Sequence, residues 1–250
     1  MSPEPGSAAT TSRPVALVTG AAGGIGQALV QRLLRGGHAI VASDLALADL
    51  PCAAAAPIAA LPADVTDEPQ VEAMVAAALE RFGRLDAVVH LAGAVGHGPI
   101  EAVDVAEWRR LLDVNLTSAF LVAKATRSAL ARTAGVLVLT SSTNGLNGGS
   151  ALSGPAYAAA KAGVVNLTRY LAKEWAPRAV RVLCVAPGPV ETPMLARFDA
   201  ATLGQLQAAV PLGRLGTPQE IAGIIEFLVS PAASYLTGVV VNASGGLVLD

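Results

Sequence analysis

A doubly wound α/β fold, a parallel sheet with helices on both faces, is what this chain predicts, and three observations predict it. Short apolar runs of strand length recur along the sequence, separated by stretches whose apolar residues repeat at helical spacing. Each run is apolar on both of its faces, so it needs cover on both sides, and a parallel sheet between two helical layers provides that. A glycine cluster, Gly20, Gly23, Gly24 and Gly26, stands where the first run gives way to the first helical stretch. Right-handed crossovers then wind the chain into one sheet of about seven strands, with a ligand crevice at their carboxyl ends.

The elements follow in order. The first strand, Val15–Thr19, leads through the glycines into a helix over Gly24–Arg35, and a second strand, Ala39–Ser43, ends at Asp44. Residues 46–62 are alanine-rich and carry Pro51, Pro57 and Pro62, so the connecting helix there is short or broken, and a weaker strand follows at 58–61. Helix 67–82 opens on Asp67, strand 87–91 comes next, and a long helix, 104–131, starts at the capping residue Asp104. Strand 135–141, helix 156–175, strand 180–185, helix Pro218–Val229 and strand 238–242 complete the alternation.

No linker interrupts residues 14–250, so these form one domain, and the small, polar residues 1–13 are a frayed tail. With 53% hydrophobic and 14% charged residues the chain can build a large core. Its net charge of -2 is spread without blocks, and no basic stripe with interleaved aromatics exists, which argues against a nucleic-acid partner. The longest apolar runs fall far short of the roughly 20 residues that span a bilayer. The first residues have neither a cationic start nor an apolar core of the kind a secretory signal needs. Cys52 and Cys184 have no metal-spaced partners, and His38, His90 and His97 are scattered, so no metal is expected and a reducing cytoplasm fits.

Tyr157 and Lys161 stand four residues apart, on one face of the predicted helix. A cation fixed near the phenol favours its phenolate and brings proton exchange within reach of neutral pH. In the glycine turn, one glycine permits the tight bend and another lets a pyrophosphate approach the backbone, while the helix N-terminus presents free N–H groups. The spacing is not the standard GxGxxG, and a ligand-free glycine turn is the plain alternative. Asp44 can accept both ribose hydroxyls of an adenosine and would repel a 2′-phosphate. Like charges ~4 Å apart at an effective dielectric of ~20 cost about 4 kcal/mol before solvent relaxes, enough for a tens- to hundreds-fold preference. NAD is therefore expected over NADP; the competing role for Asp44 is to cap the next helix.

Taken together, these motifs resemble the short-chain dehydrogenase/reductase family over residues 14–250. Thr19-Gly20-Ala21-Ala22-Gly23-Gly24-Ile25-Gly26 looks like its cofactor loop, Asp64-Val65 like its adenine contact, and Asn115 like its structural and proton-relay asparagine. Ser142, Tyr157 and Lys161 look like its catalytic set. Pro187-Gly188-Pro189-Val190-Glu191-Thr192 resembles the segment that holds the nicotinamide, with the Val190 backbone and the Thr192 hydroxyl at the carboxamide. The resemblance implies a Rossmann-like fold and an oxidoreductase in which Tyr157 moves the hydroxyl proton and Ser142 steadies the substrate oxygen. It further implies that Lys161 lowers the tyrosine pKa and binds the nicotinamide ribose, with the proton leaving past Asn115. Taken singly, Ser142 could be a strand-end cap, Asn115 a helix-kink hydrogen bonder and Lys161 a surface lysine.

Two departures stand out. The family's Asn-Asn-Ala-Gly is here His90-Leu91-Ala92-Gly93, which keeps Ala92 and Gly93 for the cofactor but puts the asparagine contacts to the ribose and central sheet in doubt. Fourteen residues separate Ser142 from Tyr157, two more than is common, so residues 148–153 form an enlarged loop. His97, Asn144, Leu146, Leu152, Met194, Leu195 and Phe198 are the candidate pocket, mainly apolar, with residues 192–211 folding over it as a lid. A small or medium, mainly apolar secondary alcohol or its ketone is the expected substrate. The alternatives are a 3-oxoacyl thioester reductase, an epimerase or dehydratase, and a non-catalytic dinucleotide-binding scaffold. The resemblance also implies a homotetramer paired through helices 104–131 and 156–175.

Overall fold

The computed structural model describes residues 12–47 and 57–249. Cys52 and most of the expected tail lie outside the described residues. Seven strands form one parallel sheet: β1 (Val15–Thr19), β2 (Ala39–Ser43), β3 (Ile58–Ala60), β4 (Ala87–His90), β5 (Val136–Thr140), β6 (Arg181–Pro187) and β7 (Val240–Ala243). Their order is β3-β2-β1-β4-β5-β6-β7 and every neighbouring pair is parallel. The winding reverses between β1 and β4, so a crevice opens at the carboxyl ends of these two strands.

Alternation along the strands assigns side chains to two cores. Val15, Leu17, Val41, Val88, Leu137 and Val182 pack under α2 (Glu68–Phe82), α4 (Ser118–Thr133) and α6 (Pro155–Trp175). Ala16, Val18, Ile40, Val89, Val138 and Leu183 pack under α1 (Gly24–Arg35) and α8 (Pro218–Val229). Burying each large aliphatic side chain of these two layers contributes about 1.5–3 kcal/mol, and this explains why the strand runs carry no polar face. Across the second layer Arg32 of α1 pairs with Glu226 of α8 at 2.5 Å, but both side chains are a third or more exposed and the pair adds at most ~1 kcal/mol.

Several expectations need adjusting. The helix expected over 104–131 is α3 (Val105–Leu112), a π-helical turn (Asp113–Thr117) and α4 in succession. The cause is Asn115, whose Nδ2 donates to the carbonyls of Leu111 at 2.9 Å and Ala94 at 2.7 Å and so competes for the helix's own acceptors. The last strand starts at Val240 and not at 238, because Gly238 has φ +72° and cannot continue a strand. A short α5 (Asn144–Asn147) precedes the expected enlarged loop, and α7 (Ala200–Ala209) lies within the expected lid, capped by Asp199 accepting from the Thr202 N–H at 2.8 Å.

Candidate active site

The glycine turn is shaped so that side chains cannot fill it. Gly20 has φ +68°, and a Cβ there would meet the Ala92 nitrogen at 2.6 Å; one on Gly26 would meet the Gly20 carbonyl oxygen at 2.1 Å. These two positions lock the turn against β4 and α1 against the turn. α1 begins after Gly23 with no side-chain cap, and its first intrahelical bond is from the Gln27 N–H to the Gly23 carbonyl, so the N–H groups of Gly24, Ile25 and Gly26 keep no partner within the helix. Asp44 faces this turn: its Oδ2 accepts from the Ala22 N–H at 3.0 Å and its Oδ1 from Leu45 N–H at 2.8 Å. Among the described residues it caps no helix. Asp64-Val65 follows directly, the Ala63 N–H donating to the Asp44 carbonyl at 3.2 Å; Val65 is buried, and Asp64 Oδ1 is held by the Thr66 N–H and hydroxyl.

These donors fit a nicotinamide dinucleotide: bare N–H groups at a helix N-terminus for the pyrophosphate and a carboxylate beside them for ribose hydroxyls. At the far end of the crevice a Cβ on Gly24 would stand 3.0 Å from Thr192 Cγ2, which brings the segment after β6 against the same turn. Gly188 donates to the Ala243 carbonyl at 3.0 Å, Val190 is buried and bridged to Gly216, and the Thr192 hydroxyl donates to the Val190 carbonyl at 3.3 Å. Pro187 ends β6 and starts this run.

The chemical groups gather beside it. The Ser141 hydroxyl donates to the Lys161 carbonyl at 2.7 Å and is thereby committed to joining β5 to α6; the Ser142 hydroxyl accepts from the Asn144 N–H at 3.2 Å and keeps its own proton for the Tyr157 side of the site. Gly145 lets α5 lie on α6, since a Cβ there would touch the Lys161 carbonyl carbon at 2.6 Å. The Lys161 ammonium donates to the Thr140 carbonyl at 2.9 Å and is 5.6 Å from the centre of the Tyr157 ring. A Cβ on Gly93 would meet Asn115 Oδ1 at 2.8 Å and Lys161 Nζ at 3.3 Å, so the Ala92-Gly93 backbone runs between the glycine turn and the Lys161–Asn115 pair. Asn115 Oδ1 is buried with no hydrogen-bond partner in the protein, an acceptor left open in the site.

Burial raises the Tyr157 pKa, while hydrogen bonding with Ser142 and the charge of Arg197 pull it down. This differs from the expectation that Lys161 lowers it: Lys161 is itself buried, its own pKa falls to about 8, and its ammonium is turned onto the Thr140 carbonyl. The site therefore holds Tyr157 as the neutral phenol at neutral pH.

His90 resolves the first departure. Its ring is buried between Thr19, its register partner on β1, and Ser118 on α4. The Ser118 hydroxyl donates to the Val114 carbonyl at 2.8 Å, so it accepts from His90 Nε2 at 3.0 Å, and Nδ1 in turn accepts from the Thr19 hydroxyl at 2.8 Å. Burial, and then the Lys161 charge, lower its pKa to about 3. The imidazole thus makes the sheet-to-helix contacts that the missing asparagine had put in doubt.

The enlarged loop is a turn closed by the Ser153 and Gly154 N–H groups on the Ser150 carbonyl, and its Ala151 carbonyl accepts from the Gly98 N–H at 2.7 Å. Of the expected pocket residues, Asn144 and Phe198 are partly buried and Leu152 and Met194 are exposed at its mouth, with Leu146 and Leu195 partly buried nearby. His97 is exposed. The sequence reading passed over Arg197, which donates to the Gly96 carbonyl at 2.8 Å and the Leu152 carbonyl at 2.6 Å and lies over the Phe198 ring at 4.5 Å. Its signal was a lone cation in an apolar stretch, Met194 to Phe198.

Fold and site together define a dinucleotide-binding oxidoreductase. A family model described as enoyl-(acyl carrier protein) reductase matches residues 20–248. The chain is 41% identical over 239 residues to the cis-4-hydroxycyclohexanecarboxylate dehydrogenase of Sinomonas cyclohexanicum, covering 93% of this chain and 95% of that one. It is 36% identical over 245 residues to the 3-oxoacyl-(acyl-carrier-protein) reductase of Synechocystis sp., covering 94% and 97%. The crystal structure of gox2181 superposes with a TM-score of 0.89 at 32% identity, covering 95% of this chain and 96% of that one. The chain belongs to the short-chain dehydrogenase/reductase family, whose members bind NAD(P). Among the described residues no helix is long and apolar enough to cross a membrane.

Proposed function

We propose that this protein is an NAD-dependent dehydrogenase that interconverts a small or medium, mainly apolar secondary alcohol, a cyclic one by preference, with its ketone. The observation that carries the reading is the convergence of Ser142, Tyr157 and Lys161 beside the bare glycine turn. The apolar Leu152, Met194 and Phe198 and the relative named for a hydroxycyclohexane substrate support the substrate class. NAD, when bound at the glycine turn, would supply the acceptor for the hydride that leaves the carbinol carbon. Tyr157 exchanges the hydroxyl proton, the Ser142 hydroxyl donates to the oxygen as charge develops there, and Lys161 holds the nicotinamide ribose. The buried Asn115 Oδ1 gives water carrying the proton away a fixed acceptor. Residues 192–211 close over the substrate and exclude bulk water.

The first test is a titration of the protein with NADH and with NADPH, read by nicotinamide fluorescence. NADH is expected to bind about tenfold or more tightly, and Asp44→Ala is expected to erase most of that difference by weakening NADH and admitting the phosphate. Tighter NADPH binding would overturn the assignment and favour a 3-oxoacyl thioester reductase, the second reading, for which the relative from Synechocystis speaks. Binding of neither dinucleotide would refute the dehydrogenase reading and favour a non-catalytic protein.

The same reading has the enzyme working in the cytoplasm as a homotetramer. Val105 and Trp108 on α3, Phe120 on α4 and Tyr170 on α6 are large apolar residues left exposed on the helices expected to pair. Light scattering at micromolar concentration is expected to return about four times the 25.1 kDa chain mass, and a monomer would refute the assembly.

A further inference from the structure

We infer that Arg197 is a specificity residue that binds a carboxylate on the substrate, so that the preferred substrate is a hydroxy acid with an apolar body and an anionic end. The inference rests on the dehydrogenase reading above and narrows its substrate class.

Arg197 lies in the stretch between β6 and α7, and its fork is aimed by two backbone carbonyls, Gly96 on the loop after β4 and Leu152 on the enlarged loop, while Phe198 stacks beneath it. Those carbonyls use two of the five guanidinium N–H donors, and three remain. Both anchoring loops flank the expected pocket, and the guanidinium charge acts on the Tyr157 phenol, so the cation lies at the reacting end of the crevice. Among the described residues no carboxylate stands within ion-pair distance of it, whereas Arg32, Arg84, Arg110 and Arg214 each have one. The side chain as a whole is exposed, and only the guanidinium's packing against the two loops lowers its pKa slightly. A cation held in a fixed direction and without a counter-ion is arranged to receive an anion, and the planar fork matches a carboxylate. Of the pocket's other contributors, Leu152, Met194 and Phe198 offer apolar contact and Asn144 a neutral amide, so one anionic group at one end of a mainly apolar body is the complementary shape.

Two further roles are open to this side chain: fastening the lid segment, or stabilising the Tyr157 phenolate. The experiment separates them by a ratio. The purified enzyme is assayed with NAD on 4-hydroxycyclohexanecarboxylate and on the corresponding carboxamide, which has the same shape and no charge, and then as Arg197→Met. The wild type is expected to prefer the carboxylate in kcat/KM by about 50-fold, through KM, and Arg197→Met to bring the ratio close to one. Any loss through the lid or the phenol falls on both substrates and cancels. Equal losses on both, with the ratio preserved, would overturn the inference; so would a wild type that turns over the carboxamide as well as the carboxylate, although the dehydrogenase reading would then stand. If the wild type oxidises neither compound nor simple cyclic alcohols, that reading fails too. Arg197→Lys, which keeps the charge but loses the fork, is expected to retain an intermediate ratio, which a purely structural clamp would not produce.

Discussion

Replacing Tyr157 with Phe is expected to lower kcat for alcohol oxidation about a thousandfold or more while NADH affinity changes by no more than a few-fold. The substitution removes one oxygen from a buried ring and leaves the ring's packing in place. General acid–base groups contribute about 10²–10⁴-fold, and the Tyr157 phenol, beside the Ser142 hydroxyl, is the group to which the proposed mechanism gives that role. A thermal midpoint within about 2 °C of wild type shows that the loss is chemical and not a failure to fold. The pH dependence follows from the direction of the phenol's shift. Burial keeps Tyr157 protonated at neutral pH, so oxidation, which needs it as a base, should quicken from pH 6 to 7, below the about 8 at which half of Lys161 has lost its charge. Ketone reduction, which needs the phenol as an acid, should not quicken over the same range. Turnover surviving in Tyr157→Phe would mean that another group moves the proton or that the protein is not an enzyme of this kind.

What could be read from the sequence was whatever local pattern and burial dictate together. The strands were legible because a run such as Val15-Ala16-Leu17-Val18 is apolar at every position only if both faces are covered, and both faces are. The glycine turn was legible because its residues have no other means of bringing β4 backbone to 2.6 Å of a would-be Cβ. Tertiary contacts lay beyond reach. The π-helical turn exists because Asn115 reaches the Ala94 carbonyl across the site, which helical periodicity cannot encode. That Ser141 is committed to the fold while Ser142 is not has its physical reason in the bond from Ser141 to the Lys161 carbonyl, which emerges only when β5 meets α6. Arg197 escaped notice because it meets Gly96, 101 residues away, only after the chain has wound around the sheet. Asp44 shows the middle case: its place at the end of β2 was readable, its contact with the Ala22 N–H was not.

His90 should make the protein unusually sensitive to mild acid. Its folded pKa is about 3 and that of a free imidazole is 6.5, so between these values the unfolded chain takes up a proton that the folded chain refuses. Unfolding is then favoured as pH falls, by about 1.4 kcal/mol per pH unit below 6.5, and at neutral pH and above the group imposes no such cost. The refusal is structural: the ring is buried with no access to water, where a charge is costly, and a proton on Nδ1 would require the Thr19 hydroxyl to turn from donor to acceptor. Lys161 adds a like charge close by. Denaturant unfolding at pH 7.5 and pH 5.0 is expected to show wild type losing about 2 kcal/mol more than His90→Asn over that interval. Asparagine retains a donor and an acceptor for Ser118 and Thr19 but does not titrate, so the variant starts from a similar hydrogen-bond pattern and loses only the proton linkage. Parallel losses in the two proteins would mean that His90 takes up its proton in the folded state, and that the bonds joining β1, β4 and α4 can rearrange around a charged ring.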